Sequence, residues 1–238
     1  MTTPTILGIS DTHGDLPEIP DCDALLIAGD ICPDFMVQKM TATRVIYDNG
    51  EQKQANWLDT EFRAWLEALV ARGIQVVFIG GNHDYVFEKT FLIPDDLPGI
   101  YLRDDPYHLY FEDFPEHSLK LWGTPWVPNL RRWAFYGTDT ALEARASIIP
   151  DGLDVLIAHG PPYGYLDKIV GGESVGEKQM LKELDRISPV VYLCGHIHES
   201  RGVAHRNTTV LVNASHMDEF YDPDTVRGTV DLTRYIYG

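Results

Sequence analysis

The chain has 238 residues, with 19 basic and 36 acidic side chains giving a formal net charge of −17. Apolar residues make up 44% and charged residues 23%, a globular balance that excludes collagen, coiled coil and disorder and allows a core without staples. So negative a charge argues against duplex nucleic acid or an anionic membrane as partner, because either needs a clustered positive surface.

From the N-terminus, residues 5–10 (TILGIS) and 23–28 (DALLIA) read as short buried strands. Residues 33–55 are polar and weakly periodic, a surface excursion whose functional alternative is a lid or substrate loop. Trp57, Leu58, Phe62, Trp65, Leu66, Leu69 and Val70 then fall near one stripe, predicting a helix over 57–72 that Gly73 stops. Residues 75–79 (QVVFI) form a third strand, and 107–112 with 118–122 a hairpin pair. A weaker helix at 139–148 precedes a strand at 154–158 (DVLIA). Met180, Leu181, Leu184 and Ile187 set a helix over 176–187, followed by a strand at 190–194 (VVYLC) and late strands at 208–213 and 228–236. The apolar runs are continuous instead of alternating, which implies strands buried on both faces by helices. The pattern predicts an α/β fold of mixed sheets with helices outside. With no repeat, low-complexity tract or linker, residues 1–238 read as a single domain.

Cys22, Cys32 and Cys194 are odd in number and lack the short spacing of a zinc or redox motif, which points to a reducing compartment. Residues 1–10 lack the charged head and long apolar run of a signal peptide, and no stretch approaches transmembrane length. A soluble cytoplasmic protein is expected, with homo-oligomerisation left open.

Each strand ends in a polar cluster. Ser10-Asp11-Thr12-His13-Gly14 follows the first, Gly29-Asp30 the second and Gly80-Gly81-Asn82-His83-Asp84 the third. His159-Gly160-Pro161-Pro162 follows the strand at 154–158, and Gly195-His196-Ile197-His198 the strand at 190–194. Taken singly, such clusters are ordinary turns. Together, at the carboxyl ends of strands in an α/β sheet, they converge where ligands gather. Asp11, His13, Asp30, Asn82, His159, His196 and His198 would supply seven ligands, too many for one ion. With one carboxylate shared they suit two divalent or trivalent ions, Mn²⁺ foremost and Fe or Zn as alternatives. Two ions about 3.5–4 Å apart can clamp the attacking and leaving oxygens of an in-line displacement at phosphorus. No Gly-x-Ser-x-Gly elbow, phosphate-binding P-loop or dinucleotide fingerprint competes with this reading.

Asp11-x-His13, Gly29-Asp30, Gly81-Asn82-His83-Asp84, His159 and Gly195-His196-x-His198 resemble the complete motif set of calcineurin-like metallophosphoesterases. The resemblance implies a four-layered α/β/β/α sandwich with a dinuclear site at the strand ends. It implies that Asp11, His13, Asp30 and His198 hold one ion, that Asp30, Asn82, His159 and His196 hold the other, and that Asp30 bridges. It leaves His83 off the metals, to protonate the leaving oxygen or stabilise the transition state, with Asp84 orienting and charge-tuning it. Trp122-Gly123-Thr124-Pro125-Trp126, Trp133-Ala134-Phe135 and the run from Ile157 to Asp167 resemble the metallophosphoesterase-domain-containing subfamily of small, cyclic-nucleotide phosphodiesterases, as do Gly195 to Glu199 and Val212 to Ser215. Some members of that subfamily have a damaged metal motif and turn over weakly; both His196 and His198 are kept here, so an active enzyme is implied. Gly29-Asp30 continues as Ile31-Cys32-Pro33-Asp34 instead of the Asp-Arg-Gly of protein Ser/Thr phosphatases.

The expected function is metal-dependent hydrolysis of small phosphodiesters, cyclic nucleotides foremost, by a metal-held hydroxide. The alternatives are a phosphomonoesterase or nucleotidase of the same fold and a weakly active nucleotide-binding module. Trp126, Trp133, Tyr163 and Tyr165 are candidates to stack on a base, against ordinary packing roles. Arg131, Arg132 and Arg201 are candidates to meet a phosphate oxygen, against plain surface charge.

Overall fold

In the computed structural model, residues 3–34, 50–128, 130, 133–222 and 225–238 are described. The first sheet holds β1 (Ile6–Ile9), β2 (Ala24–Ile27), β3 (Gln75–Ile79), β4 (Ile100–Leu102) and the late β13 (Val230–Asp231), in the order β13-β1-β2-β3-β4. β1 to β4 run parallel, and β13 pairs antiparallel with β1. The second sheet holds β5 (Asp105–Tyr110), β6 (Ser118–Thr124), β9 (Val155–Ala158), β10 (Val191–Cys194), β11 (Gly202–Arg206) and β12 (Thr209–Asn213), in the order β11-β12-β10-β9-β6-β5. A small parallel ribbon of β7 (Val127–Pro128) and β8 (Tyr136–Gly137) stands apart. The helices are α1 (Gly50–Trp57), α2 (Arg63–Ala71), α3 (Tyr85–Glu88), α4 (Asp139–Ser147), α5 (Lys178–Ile187) and α6 (Thr233–Ile236).

Three apolar clusters separate four layers. Leu7, Ile9, Leu25, Ile27, Val76 and Phe78 pack outward against Leu58, Phe62, Leu66 and Leu69 of the first helical layer. Ile6, Leu26, Val77 and Ile79 face Leu121, Val155, Ile157, Leu193 and Val212 between the sheets. On the far side Trp122, Leu156, Tyr192 and Leu211 meet Met180, Leu184 and Ile187 of α5. Every strand residue of β1, β2, β9 and β10 is therefore buried, which is why those runs carry no polar alternation. The sandwich is the four-layered α/β/β/α arrangement the resemblance implies. The sheets approach closely at Gly8, where a Cβ would lie 2.9 Å from Leu193 Cδ1.

The helix expected over 57–72 begins earlier. α1, a wide π-turn at Leu58–Phe62 and α2 run on without a break from Gly50 to Ala71, so the end of the excursion at 33–55 is helical. Its first turns carry Gln52, Lys53 and Gln54 and lack the apolar stripe that marks α2. The strand expected over 228–236 is a correction: only Val230 and Asp231 pair. Asp231 then accepts the backbone N–H of Thr233 (2.9 Å) as the chain turns at Leu232 into α6. All three cysteines are free thiols. Among the described residues no helix is long and apolar enough to cross a membrane.

Glu177, just ahead of α5, is 3% exposed. Burial, with the charge of Asp104 added, pushes its carboxyl up to about 8 from 4.5. Between those values only the folded chain holds the proton, so stability falls as pH rises through that window. Glu177→Gln is expected to lose less of its urea midpoint than the parent between pH 5 and pH 8; equal losses would show that this carboxyl does not carry the effect.

Candidate metal centre

The first sheet delivers Asp11 and His13 after β1, Asp30 after β2, and Asn82, His83 and Asp84 after β3. The second delivers His159 after β9, and His196 and His198 after β10. The two sets meet because the sheets are stitched together at these ends: Ser10 bridges Ser215 in parallel, and its N–H donates to Ala214 O (3.1 Å). Asp11, His13, Asp30 and His196 all take positive φ, at 53°, 46°, 50° and 68°. Asp and His tolerate that region better than most side chains. Its cost persists only where the surroundings over-determine the backbone, and hydrogen bonds do so here. The N–H groups of Asp11 and His13 donate to Gly29 O (2.9 Å) and Asp30 O (3.0 Å), and that of His196 donates to Asp11 Oδ1 (2.9 Å).

Asp11 is fully buried and also accepts the hydroxyl of Ser215 at Oδ2 (2.9 Å). Its Oδ1 lies 3.3 Å from His198 Nε2. Asp30, 1% exposed, accepts the His83 N–H at Oδ1 (2.7 Å) and places Oδ2 3.2 Å from His159 Nε2. Two imidazoles are aimed by backbone: His159 Nδ1 donates to Ala28 O and His198 Nδ1 to Asp218 O, each at 2.8 Å. Their Nε2 atoms therefore face inward. His159 Nε2 also lies 3.0 Å from Asn82 Oδ1, and His198 Nε2 3.3 Å from His13 Nε2.

Two groups of ligand atoms match the expected ligands, Asp11, His13 and His198, and Asp30, His159 and His196, and a third joins His13 and His83 to Asp34. Asn82 adjoins the second through His159. Inward-facing nitrogen lone pairs beside buried carboxylates are a set that a cation satisfies, so the residues fit a metal pair in their donor chemistry. The glycines fit it too. A Cβ on Gly195 would collide with Asp11 and Ser10, and one on Gly81 with Asp30. Burial alone would lower His159 and His198, but the charges of Asp30 and Asp11 push both up to about 9. Burial and the adjacent His159 push His196 down to about 3. Burial would raise Asp30, yet His159 and His83 hold it well below the carboxylate range.

His83 sits beside both groups, 11% exposed in its side chain. Its expected partner is corrected. Asp84 is spent on backbone: its carboxylate accepts the N–H groups of Ile31 (3.0 Å), Cys32 (2.7 Å) and Gly81 (2.8 Å), tying the loop after β2 to the loop after β3. Asp34 takes the orienting place, with Oδ1 2.5 Å from His83 Nδ1 and 3.3 Å from His13 Nδ1, which is buried without a hydrogen bond. Asp84 still contributes charge, for burial would lower His83 while Asp30, Asp34 and Asp84 raise it. Gln54, fully buried on α1, grips the same loop: its Nε2 donates to His83 O (2.7 Å) and its Oε1 accepts the Val86 N–H (3.0 Å). Neither Asp34 nor Gln54 was a sequence candidate, because both lie in the aperiodic stretch at 33–55.

Among the expected substrate contacts, Trp126 is engaged elsewhere. Its indole N–H donates to Asp104 (2.8 Å), and Arg145 lies 3.5 Å above its ring. Tyr163 packs under Lys178, and the Tyr165 hydroxyl accepts from Arg206 (3.1 Å). Trp133 abuts His83, with ring centroids 4.3 Å apart. Arg201 is neither surface charge nor phosphate ligand: it donates to the carbonyls of Ser215, Arg227 and Gly228. Arg131 and Arg132 lie outside the described residues.

A profile of the calcineurin-like phosphoesterase family matches residues 4–200. Metallophosphoesterase domain-containing protein 1 of Homo sapiens, and likewise that of Mus musculus, is 30% identical over 94% of this chain and 69% of its own length. A UPF0046 protein of Caenorhabditis elegans is 27% identical over 90% of this chain and 56% of its own. One crystal structure superposes with a TM-score of 0.65 at 15% identity, covering 98% of this chain and 96% of the other. TT1561 of Thermus thermophilus superposes at 0.54 with 12% identity, covering 89% of each. At such identities these two show a shared fold alone.

Gly195→Ala is expected to fold but to bind less manganese than the parent after equilibration and desalting, read by elemental analysis, because its Cβ displaces Asp11. Undiminished metal would show that Asp11 and Gly195 can separate without loss of the site.

Proposed function

This chain belongs to the calcineurin-like phosphoesterase family, a family of metal-dependent phosphoester hydrolases, and from that premise we propose a phosphodiesterase acting on small diesters, cyclic nucleotides foremost. The observation that carries the reading is the pair of ligand groups, Asp11, His13 and His198 beside Asp30, His159 and His196, with His83 next to both. Asp11, His13, Asp30 and His198 would hold one ion, and Asp30, Asn82, His159 and His196 the other. When bound, the pair neutralises charge developing at phosphorus and supplies hydroxide at neutral pH.

The remaining steps belong to side chains. His83 presents Nε2 toward the centre, 4.0 Å from Asp30 Oδ2, while Asp34 holds Nδ1. In this arrangement Nδ1–H donates to Asp34, and Nε2–H is the proton delivered to the departing alkoxide. The neighbouring carboxylates raise the imidazole, which keeps that proton available near neutral pH. Gln54 fixes the peptide that carries the ring. A diester suits this layout because one substituent leaves past His83 while the other stays on phosphorus.

The test is hydrolysis of bis-p-nitrophenyl phosphate, p-nitrophenyl phosphate and both classes of cyclic nucleotide, each with Mn²⁺ and with chelator. Chelator-sensitive diester cleavage exceeding monoester cleavage supports the proposal, and monoester preference overturns it. His83→Ala is expected to lower kcat by about 10²–10⁴-fold at unchanged metal content; unchanged turnover would falsify the role given to His83. Asp34→Asn is expected to lower kcat more than it raises KM and to move the alkaline limb of the pH profile, where His83 loses its proton, to lower pH. A profile superposable on the parent's would remove Asp34 from the proton path.

A further inference from the structure

Two aromatic rings reach the metal centre from turns outside its motifs. Trp133, from the loop joining β7 and β8, lies 4.3 Å from the His83 ring, centroid to centroid. Tyr221, from the turn after Ser215, lies 4.7 Å from His13, 4.8 Å from His198 and 6.2 Å from His83. Both therefore border the imidazole that faces the leaving oxygen, and Tyr221 also covers the first ligand group.

Strained backbone and hydrogen bonds shape the turns that carry them. Tyr221 has φ +57° and Phe135, two residues after Trp133, has φ +50°. For bulky side chains that region is a true outlier, and strain of this kind collects at functional sites. The turn bearing Tyr221 is organised by Asp218, whose carboxylate accepts the N–H groups of Phe220 (2.9 Å) and Asp222 (3.1 Å) and the Thr225 hydroxyl (2.5 Å). The carbonyl of Asp218 receives His198 Nδ1–H, so one residue positions both a ligand imidazole and the aromatic turn. On the other side Ala134 N–H donates to Asn82 O (3.0 Å), fastening the Trp133 loop to the peptide before His83.

We propose that Trp133 and Tyr221 are specificity-determining residues that bind a flat aromatic ring carried by the leaving group, such as a nucleobase on its ribose. The proposal rests on the phosphodiesterase reading, since it takes the group departing past His83 as its ligand. A ring there would meet the faces or edges of Trp133 and Tyr221, whereas an alkyl substituent would gain no stacking. Stacking tolerates any base, so the rim would select for the presence of a base and not for its identity.

The experiment compares kcat/KM for 3′,5′-cyclic AMP with that for the base-free 3′,5′-cyclic phosphate of methyl riboside, on the Mn²⁺-loaded full chain. Parent, Trp133→Ala, Tyr221→Ala and Tyr221→Phe are assayed. The parent is expected to favour the base-bearing compound. Each alanine variant should shrink that preference about 5- to 150-fold, and Tyr221→Phe should keep it. No preference in the parent, or alanine variants whose two activities fall together with the ratio intact, would overturn the proposal and leave packing around His83 as their role. Should the parent turn over neither compound, 3′,5′-cyclic phosphates fail as substrates, separately from the aromatic rim. Calorimetric binding of the same pair to parent and variants then decides the aromatic rim: loss of tighter base-bearing binding in the alanine variants supports it, and equal affinities overturn it.

Discussion

Two ionised carboxylates, Asp11 and Asp30, are buried where the two sheets meet. Burying such charges without partners costs several kcal/mol or more each, and the surrounding structure is arranged to meet that demand. The His196 N–H and the Ser215 hydroxyl serve Asp11 from the second sheet. The His83 N–H serves Asp30 from the neighbouring strand of the first. The same contacts fix the strained backbone at the strand ends and leave the imidazoles pointing at one another. Packing joins the sheets over their area, and these polar contacts, with the Ser10–Ser215 bridge and the His159 bond to Ala28 O, fix how their carboxyl ends register.

His83 depends on a further layer. Asp34 holds its ring and Gln54 holds its peptide, and these two residues stand at either end of the stretch that shows least pattern in the sequence. Asp84 meanwhile secures the loop beneath by accepting three backbone N–H groups. The division of labour is physically sensible. A fully buried carboxylate serves best as an acceptor for fixed amides, while the half-exposed Asp34 can adjust to a ring that gains and loses a proton.

Much of this was legible from residue order. Strands buried on both faces announce themselves as unbroken apolar runs, and ligands placed directly after them need no long-range inference, so β1, β2, β3, β9 and β10 and their motif residues could be placed together. What escaped detection depends on distant partners. β4 is only three residues and pairs with β3 across an intervening helix. β11, Gly202–Arg206, carries just two aliphatic side chains, Val203 and Ala204. Asp34 and Tyr221 lie in segments without periodicity, and only the folded chain brings them to His83. Trp126 and Tyr165 misled for the converse reason: an aromatic close in sequence to a motif is free to turn its face to an arginine instead.

The centre also draws its parts from opposite ends of the chain. Asp11 is joined to Ser215, 204 residues away, and the carbonyl that aims His198 belongs to Asp218. During synthesis the first sheet's ligands emerge long before the acceptor that completes the set. A nascent chain therefore carries Asp11, His13 and Asp30 without a finished cage for as long as the ribosome needs to make everything between. At a translation rate of about 5–20 residues per second, the set of expected ligands with its aiming acceptor is completed late, once Asp218 has been made.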